Sequence, residues 1–360
     1  MVGQRLRGGG VPGLRRGRRG GGVEPDDGSQ QGRDVDAGRQ NRPIAKQEGQ
    51  HIMKPSIGVI GLGAMGLGVA QSLLRAGYAV HAYDIRPEVL AAFATQGGVA
   101  GTTPAGVAEA CNIIIVLVVN AAQTDTVLFG PDGAFAAMRP GGLVIACATV
   151  APAAIEALET RLRAGGVWLL DAPMSGGAAK AATGEMTLMT SGPPEAYDRA
   201  QDVLPAIAGR VYRVGDRVGL GTRIKVINQL LAGVHIAAAA EAMALGLREG
   251  ADPKTVYDII THSAGNSWMF ENRMAHVLAG DYTPLSAVDI FVKDLGLVLD
   301  TARAACFPLP LASAAHQMFL QAAAAGLGRE DDSAVIKIFP GITLPDPHPP
   351  AGNDNGGMAS

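Results

Sequence analysis

Apolar and polar positions follow two different rhythms along this chain. Residues 56–60 (Ser-Ile-Gly-Val-Ile) form a short apolar run that reads as a buried parallel strand. The run stops at Gly61-Leu62-Gly63-Ala64-Met65-Gly66. A helical spacing follows at Val69, Leu73 and Leu74, closed by Gly77. A second strand, 79–83, ends at Asp84. Apolar runs at 113–119, 142–147 and 167–170 end at Asn120, at Ala148-Thr149, and at Asp171-Ala172-Pro173-Met174-Ser175-Gly176-Gly177. Strands that alternate with helices predict a mostly parallel α/β sheet. From about residue 218 the strands cease. Residues 224–247 carry an alanine-rich helical pattern, and Asp252-Pro253 opens another helix, with Asp252 as cap and Pro253 at its first position. Further helices are predicted near 270–279, 285–304 and 309–326, so an all-α domain follows the α/β one and leaves a cleft between them.

The glycine turn carries the first chemistry. Gly61 permits a tight turn, Gly63 lets the backbone approach a pyrophosphate, and Gly66 lets the helix pack on the strand. The helix start at Ala64 and Met65 presents free N–H groups to phosphates. Leu62 lies inside the turn. Asp84, followed by Ile85, stands where an acid accepts hydrogen bonds from both ribose hydroxyls and repels a 2′-phosphate. Arg86 works against that preference, because a nearby arginine can hold a 2′-phosphate. The expected unit is a Rossmann-like dinucleotide-binding domain with NAD as its cofactor. Ligands of open α/β sheets bind at the carboxyl ends of the strands. Asn120, Thr149 and Ser175-Gly176-Gly177 all fall there.

On the long helix, 3.6 residues per turn place Lys225, Asn228, Gln229 and Ala232 on one face. A lysine lining a cleft can exchange a proton with a ligand, provided burial or nearby positive charge lowers its pKa from about 10.4. Lys293 is the alternative base. His235 reads as a packed helix histidine. Trp268 and Phe270 read as core or interface aromatics, with pocket lining as the other possibility. Arg273 is open between a substrate carboxylate and a structural ion pair.

Composition narrows the class. The 360 residues are 48% hydrophobic and 18% charged, with a net charge of −3, which gives no reason to expect nucleic acid. Residues 1–52 hold ten Lys/Arg against six Asp/Glu, while the remainder holds twenty against twenty-seven. That Gly/Arg-rich leader lacks the apolar residues to offset ordering entropy and is expected to be disordered. It reads as a mis-set start or a non-native leader, with a basic nucleic-acid arm or a transit peptide as alternatives. Three separate cysteines without a CxxC pair fit a reducing cytoplasm, and the seven histidines show no metal spacing. The longest apolar stretch, 230–247, is interrupted by His235 and Glu241, so no membrane span is expected. The domain expectation is a leader at 1–52, an NAD-binding domain at 53–216, a helical substrate and dimerisation domain at 217–342, and a flexible tail at 343–360.

Four blocks together resemble the β-hydroxyacid dehydrogenase family over about residues 55–340. They are 61–66, 171–177, 221–228, and Lys293-Asp294-Leu295-Gly296. The resemblance implies NAD-dependent oxidation of a small hydroxy acid, with Lys225 as general acid/base. It implies Ser175, Gly176 and Gly177 as the substrate carboxylate loop and Asn228 as a substrate contact. Thr149 and Lys293 are implied near the nicotinamide, and a homodimer or homotetramer is implied as the assembly. Gln229, where the family often has a second asparagine, and Ala148, where it has serine, depart from the pattern. Residues 266–273 and 281–294 further resemble a subgroup whose members oxidise a four-carbon sugar acid, L-threonate, with NAD. 3-Hydroxyisobutyrate and tartronate semialdehyde are the competing substrates, while imine reduction and a non-catalytic role are the more distant alternatives.

Overall fold

The computed structural model describes residues 54–346. The leader expected over 1–52 and most of the tail expected over 343–360 lie outside the described residues.

Nine strands make one sheet: β1 (Ile57–Ile60), β2 (Val80–Tyr83), β3 (Val99–Ala100), β4 (Ile113–Val116), β5 (Leu143–Ala146), β6 (Trp168–Asp171), β7 (Met174–Ser175), β8 (Met186–Ser191) and β9 (Ala208–Gly215). Their order is β3-β2-β1-β4-β5-β6-β8-β7, with β9 also paired to β8. The first six are parallel to their neighbours, and β8 runs antiparallel to β6. Helices cover both faces, so β1, β4 and β5 have no exposed position. Ile57, Val59 and Ile115 pack with Val69 and Leu73 on one face. Ile60, Ile114 and Val116 pack with Val107, Leu128 and Ile155 on the other. Each such burial contributes about 1.5–3 kcal/mol. The chain winds outward from β1 through β2 to β3, then returns to β4 on the other side of β1. That reversal opens a crevice at the carboxyl ends of β1 and β4.

Two strand expectations change. The apolar run over 113–119 is strand only to Val116. Beyond it the chain turns over the glycine loop, and the Val119 N–H takes the Gln123 side chain at 2.8 Å in place of a neighbouring strand. The second change is β8, an element not foreseen from the sequence. It joins β6, β7 and β9 at the far edge of the sheet.

The second layer is built around one helix, Leu220–Arg248, of 29 residues, or about 44 Å. It has the length and apolarity of a membrane span, yet one side of it is the core of the helical domain. Val226, Ala232, Ile236, Ala240 and Met243 pack against helices Trp268–Ala279, Val288–Ala304 and Pro310–Ala322 and the turn Asp332–Ile338. Gly233 matters here, because a Cβ would lie 2.9 Å from the Leu295 side chain. Asp252 caps helix Pro253–Thr261 by accepting from Thr255 N at 2.8 Å. Of the two readings of Arg273, the structural one holds: the side chain is buried and paired with buried Asp332. Burial pushes the Asp332 carboxyl up to about 6 against the opposing pull of Arg273. Phe270 belongs to the core, whereas Trp268 is 58% exposed. His235, expected to pack, is exposed, because its position falls on the outward side of the long helix.

Candidate active site

The glycine turn has the geometry its sequence predicts. Gly61 has φ +96°, and a Cβ there would meet the Leu117 carbonyl at 2.9 Å. A Cβ on Gly66 would lie 1.8 Å from the Gly61 carbonyl, so only glycine lets the helix sit this close to the turn. Gly63 faces open space. Helix Ala64–Arg75 begins there with no side-chain cap and no acid in its first turn, which leaves its N–H groups for an anion. The loop therefore fits a pyrophosphate.

Asp84, at the end of β2, is 8% exposed. Its carboxylate accepts from Leu62 N at 2.7 Å, from Arg86 N at 3.0 Å, and from Arg86 Nε and Nη2 at 2.8 and 3.0 Å. Burial raises the Asp84 pKa, but these hydrogen bonds outweigh it and leave the net shift downward. The acid is thus ionised and tied to the glycine turn. Arg86, the expected counterweight, is folded back onto Asp84 and onto the Leu62 carbonyl at 3.2 Å. Ile85 is 81% exposed at the mouth. Asn120 caps helix Ala121–Phe129 by accepting from Gln123 N at 2.9 Å. A cavity of about 440 Å³ lies between that helix and helix Pro152–Ala164, lined by Ala121, Thr124, Ala148 and Ile155, beside these strand ends and away from Lys225.

Lys225 occupies a core position of the long helix, 7% exposed. Its Nζ donates to Gln229 Oε1 at 2.7 Å, and Asn228 Nδ2 donates to the same oxygen at 3.0 Å. Gln229 Nε2 donates to Asp294 Oδ2 at 2.5 Å. Lys293 donates to the other oxygen of Asp294 and to the Thr149 carbonyl at 3.2 Å. One hydrogen-bonded chain therefore runs from the end of β5 to Lys225. Burial lowers the Lys225 pKa to about 8. Asp294 opposes that shift, and Lys293 adds to it.

Asp171 sets where the long helix starts. It is 1% exposed at the end of β6. Its carboxylate accepts from Gly219 N at 3.1 Å, Thr222 N at 2.9 Å, Thr222 Oγ1 at 2.7 Å and Ser191 Oγ at 3.0 Å. Ser191 Oγ in turn accepts from Gly221 N at 2.9 Å. Gly219, the N-cap residue, has no side chain to cap with, so the sheet caps the helix. Gly221 is required too: its Cβ would meet the Met189 carbonyl of β8 at 2.2 Å.

Of the expected residues, the fold brings Thr149, Lys225, Asn228 and Lys293 into one network. The Ser175-Gly176-Gly177 loop is not hydrogen-bonded to it. That loop lies at the end of β7, with Gly176 and Gly177 at φ +142° and +76°. Among the described residues the Ser175 hydroxyl has no hydrogen-bond partner. Asp294 and Asp171 are not foreseen as members of the site, and Gln229 is foreseen only as a neighbour of Lys225 on the helix face. Asp294 had a signal in the sequence: it sits in the stripe Phe291, Asp294, Leu295, Val298, where an acid is out of place unless it is partnered.

A glycine turn that fits a pyrophosphate at the sheet crevice, with a buried lysine of lowered pKa on the adjoining helical domain, is the arrangement expected of a nicotinamide-dependent dehydrogenase. Residues 56–215 match the model of the NAD binding domain of 6-phosphogluconate dehydrogenase. Residues 219–339 match that of the NAD-binding of NADP-dependent 3-hydroxyisobutyrate dehydrogenase. The chain is 70% identical over 293 residues to L-threonate dehydrogenase of Cupriavidus necator, covering 81% of this chain and 99% of that protein. It is 55% identical over 291 residues to L-threonate dehydrogenase of Escherichia coli K12, covering 80% and 96%. A crystal structure described as 3-hydroxyisobutyrate dehydrogenase from Salmonella typhimurium superposes with a TM-score of 0.76 at 53% identity, covering 79% of this chain and all of that one. The chain belongs to the β-hydroxyacid dehydrogenase family.

Proposed function

We propose that this protein oxidises L-threonate to 2-dehydro-L-erythronate with NAD, and that Lys225 takes the hydroxyl proton. The observation that carries the reading is the buried Lys225, whose lowered pKa lets it work as a base near neutral pH. In this reading residues 53–216 hold the cofactor, and 217–342 complete the substrate site and form the subunit contact. The turn Gly61, Leu62, Gly63, Ala64, Met65 and Gly66 holds the pyrophosphate, with Asp84 and Ile85 on the adenosine side. Asn120, Thr149 and Lys293 flank the nicotinamide end. Ser175 Oγ and the N–H groups of Gly176 and Gly177 receive the substrate carboxylate, and Asn228 holds a substrate hydroxyl. When bound, NAD supplies the hydride acceptor. Lys225 removes the proton from the carbinol oxygen as neutral amine and returns it as ammonium in the reverse direction. Asp84, already ionised and turned toward the loop, favours NAD over NADP by repelling a 2′-phosphate.

The L-threonate dehydrogenases at 51–70% identity support this substrate. The solved relative described as 3-hydroxyisobutyrate dehydrogenase favours 3-hydroxyisobutyrate as the second reading. The test is NADH formation over L-threonate, D-threonate, D-erythronate, 3-hydroxyisobutyrate, D-glycerate and serine, with NAD and NADP in parallel. L-Threonate with NAD is expected to have the highest kcat/KM. The oxidation rate should rise with pH through about 8, since the amine must be neutral. Reduction should fall over the same range, since the ammonium must be present. Inactivity on every four-carbon acid removes the substrate assignment, and a preference for NADP removes the role given to Asp84.

The exposed side of the long helix carries Ile224, Ile227, Leu231 and Leu245, each at least 43% exposed. This apolar stripe supports a homodimer or homotetramer. Light scattering should return two or four chain masses, and a monomer would remove that reading. The buried free thiols Cys111 and Cys147 suit a reducing cytoplasm, where we place the enzyme.

A further inference from the structure

Gln229 stands between two charged groups. Its carbonyl Oε1 accepts from Lys225 Nζ at 2.7 Å and from Asn228 Nδ2 at 3.0 Å, while its Nε2 donates to Asp294 Oδ2 at 2.5 Å. The Asp294 carboxylate accepts from Nε2, so it decides which end of the amide faces it. The end left for Lys225 is an oxygen. Lys225, Gln229 and Asp294 are all buried, and a reversed amide would set NH2 against ammonium and carbonyl against carboxylate. Asn228 and Lys293 hold the same orientation from either side, because both are donors aimed at the oxygens.

We propose that Gln229 is a positioning residue for proton transfer: Asp294 locks its amide so that Oε1 holds an N–H of Lys225 and leaves the lone pair of the neutral amine facing the substrate. Among the described residues Nζ has that one hydrogen-bond partner, which leaves its other valences for the substrate that the proposed function places there. The amide also acts as a neutral spacer. The charged groups acting on Lys225 are Asp294 and Lys293, both of helix Val288–Ala304. A carboxylate in direct contact would hold the ammonium form, whereas the amide accepts the same hydrogen bond without the charge. This inference rests on Lys225 being the base.

The experiment compares wild type, Gln229→Glu, Gln229→Met and Lys225→Ala by pH profiles of kcat/KM for oxidation, with NADH affinity read by fluorescence. Gln229→Glu is expected to move the acid limb up by about one pH unit or more, since an opposite charge in contact favours the charged lysine. Gln229→Met, which offers no strong acceptor, is expected to move it down and to lower kcat about tenfold. NADH affinity should stay within about twofold in both. A residue that merely fills space lowers kcat without moving the limb in opposite directions. If one Gln229 variant fails to fold, the direction of the other decides. Unmoved limbs in both Gln229 variants, with the limb lost in Lys225→Ala, overturn this inference alone. A Lys225→Ala enzyme that keeps the wild-type limb overturns the base assignment and this inference with it.

Discussion

Replacing Lys225 with alanine is expected to lower kcat for hydroxy acid oxidation by about 10³-fold or more, since a positioned general base contributes roughly 10²–10⁴. Burial sets the chemistry of this lysine. A lysine that is 7% exposed in a helix core is held there against its own desolvation, and this is the largest cause of its pKa of about 8. Apart from Lys293, no group in the network can replace it. Asp294 is committed to Gln229 and Lys293, and Asn228 has no basic site. Cofactor affinity should change little, because Gly61 to Gly66 and Asp84 follow the ends of β1 and β2 and share no hydrogen bond with Lys225. Steady-state kinetics with NADH fluorescence titration separates the two effects. The companion variant Lys293→Ala tests the rival base. Lys293 has both an acid and the Thr149 carbonyl as partners, so its loss should weaken activity but keep the acid limb. Full turnover in Lys225→Ala, or a limb that vanishes in Lys293→Ala, would transfer the role to Lys293.

The parts of this site legible in the sequence are those specified within one turn or one helix. Gly61, Gly63 and Gly66 each answer to a local demand, namely positive φ, open approach and close packing, and all three demands are met in the structure. Lys225, Asn228 and Gln229 share a helix face by periodicity alone. What stayed illegible depends on distant chain. Asp294 reaches Gln229 across 65 residues and Asp171 reaches Thr222 across 51, and neither distance has a period. Strand β8 is illegible for the same reason. Its sequence, Met-Thr-Leu-Met-Thr-Ser, lacks a clean alternation because it is buried at nearly every position between β6, β7 and β9. Gln229 looked like a departure from the family pattern, and its partners show a side chain long enough to span from Lys225 to Asp294. His235 is exposed and not packed because the long helix has two apolar sides, one in the core and one facing out with Ile227 and Leu231.

Asp171→Asn should damage both stability and turnover, because Asp171 joins the sheet to the helix that carries the lysine. Four donors converge on its carboxylate, two of them backbone N–H groups at the start of the long helix. A negative charge there also faces the positive end of the helix dipole. Burial alone raises the Asp171 pKa, and the Thr222, Ser191 and Gly219 hydrogen bonds pull against it without reversing the shift. Asparagine keeps the shape but turns one acceptor oxygen into an NH2 facing donors. At least one buried donor is then stranded, at about 1–3 kcal/mol, with up to roughly 3–5 when a buried charge loses its match. The melting temperature should fall by about 5–10 °C. Thr222→Val, which removes one of the four donors and keeps the volume, should fall by less. The functional effect follows from position. Lys225 lies three residues beyond Thr222 on the same helix face, so a loosened first turn moves Nζ relative to the crevice. We expect kcat to drop about 10²-fold, in keeping with the steep dependence of rate on geometry. NADH affinity and the acid limb should stay near wild type, since neither the glycine turn nor the Gln229–Asp294 link is touched. An unchanged melting temperature would mean that the sheet does not cap this helix, while a shifted acid limb would mean that Asp171 sets the charge of Lys225 and not its place.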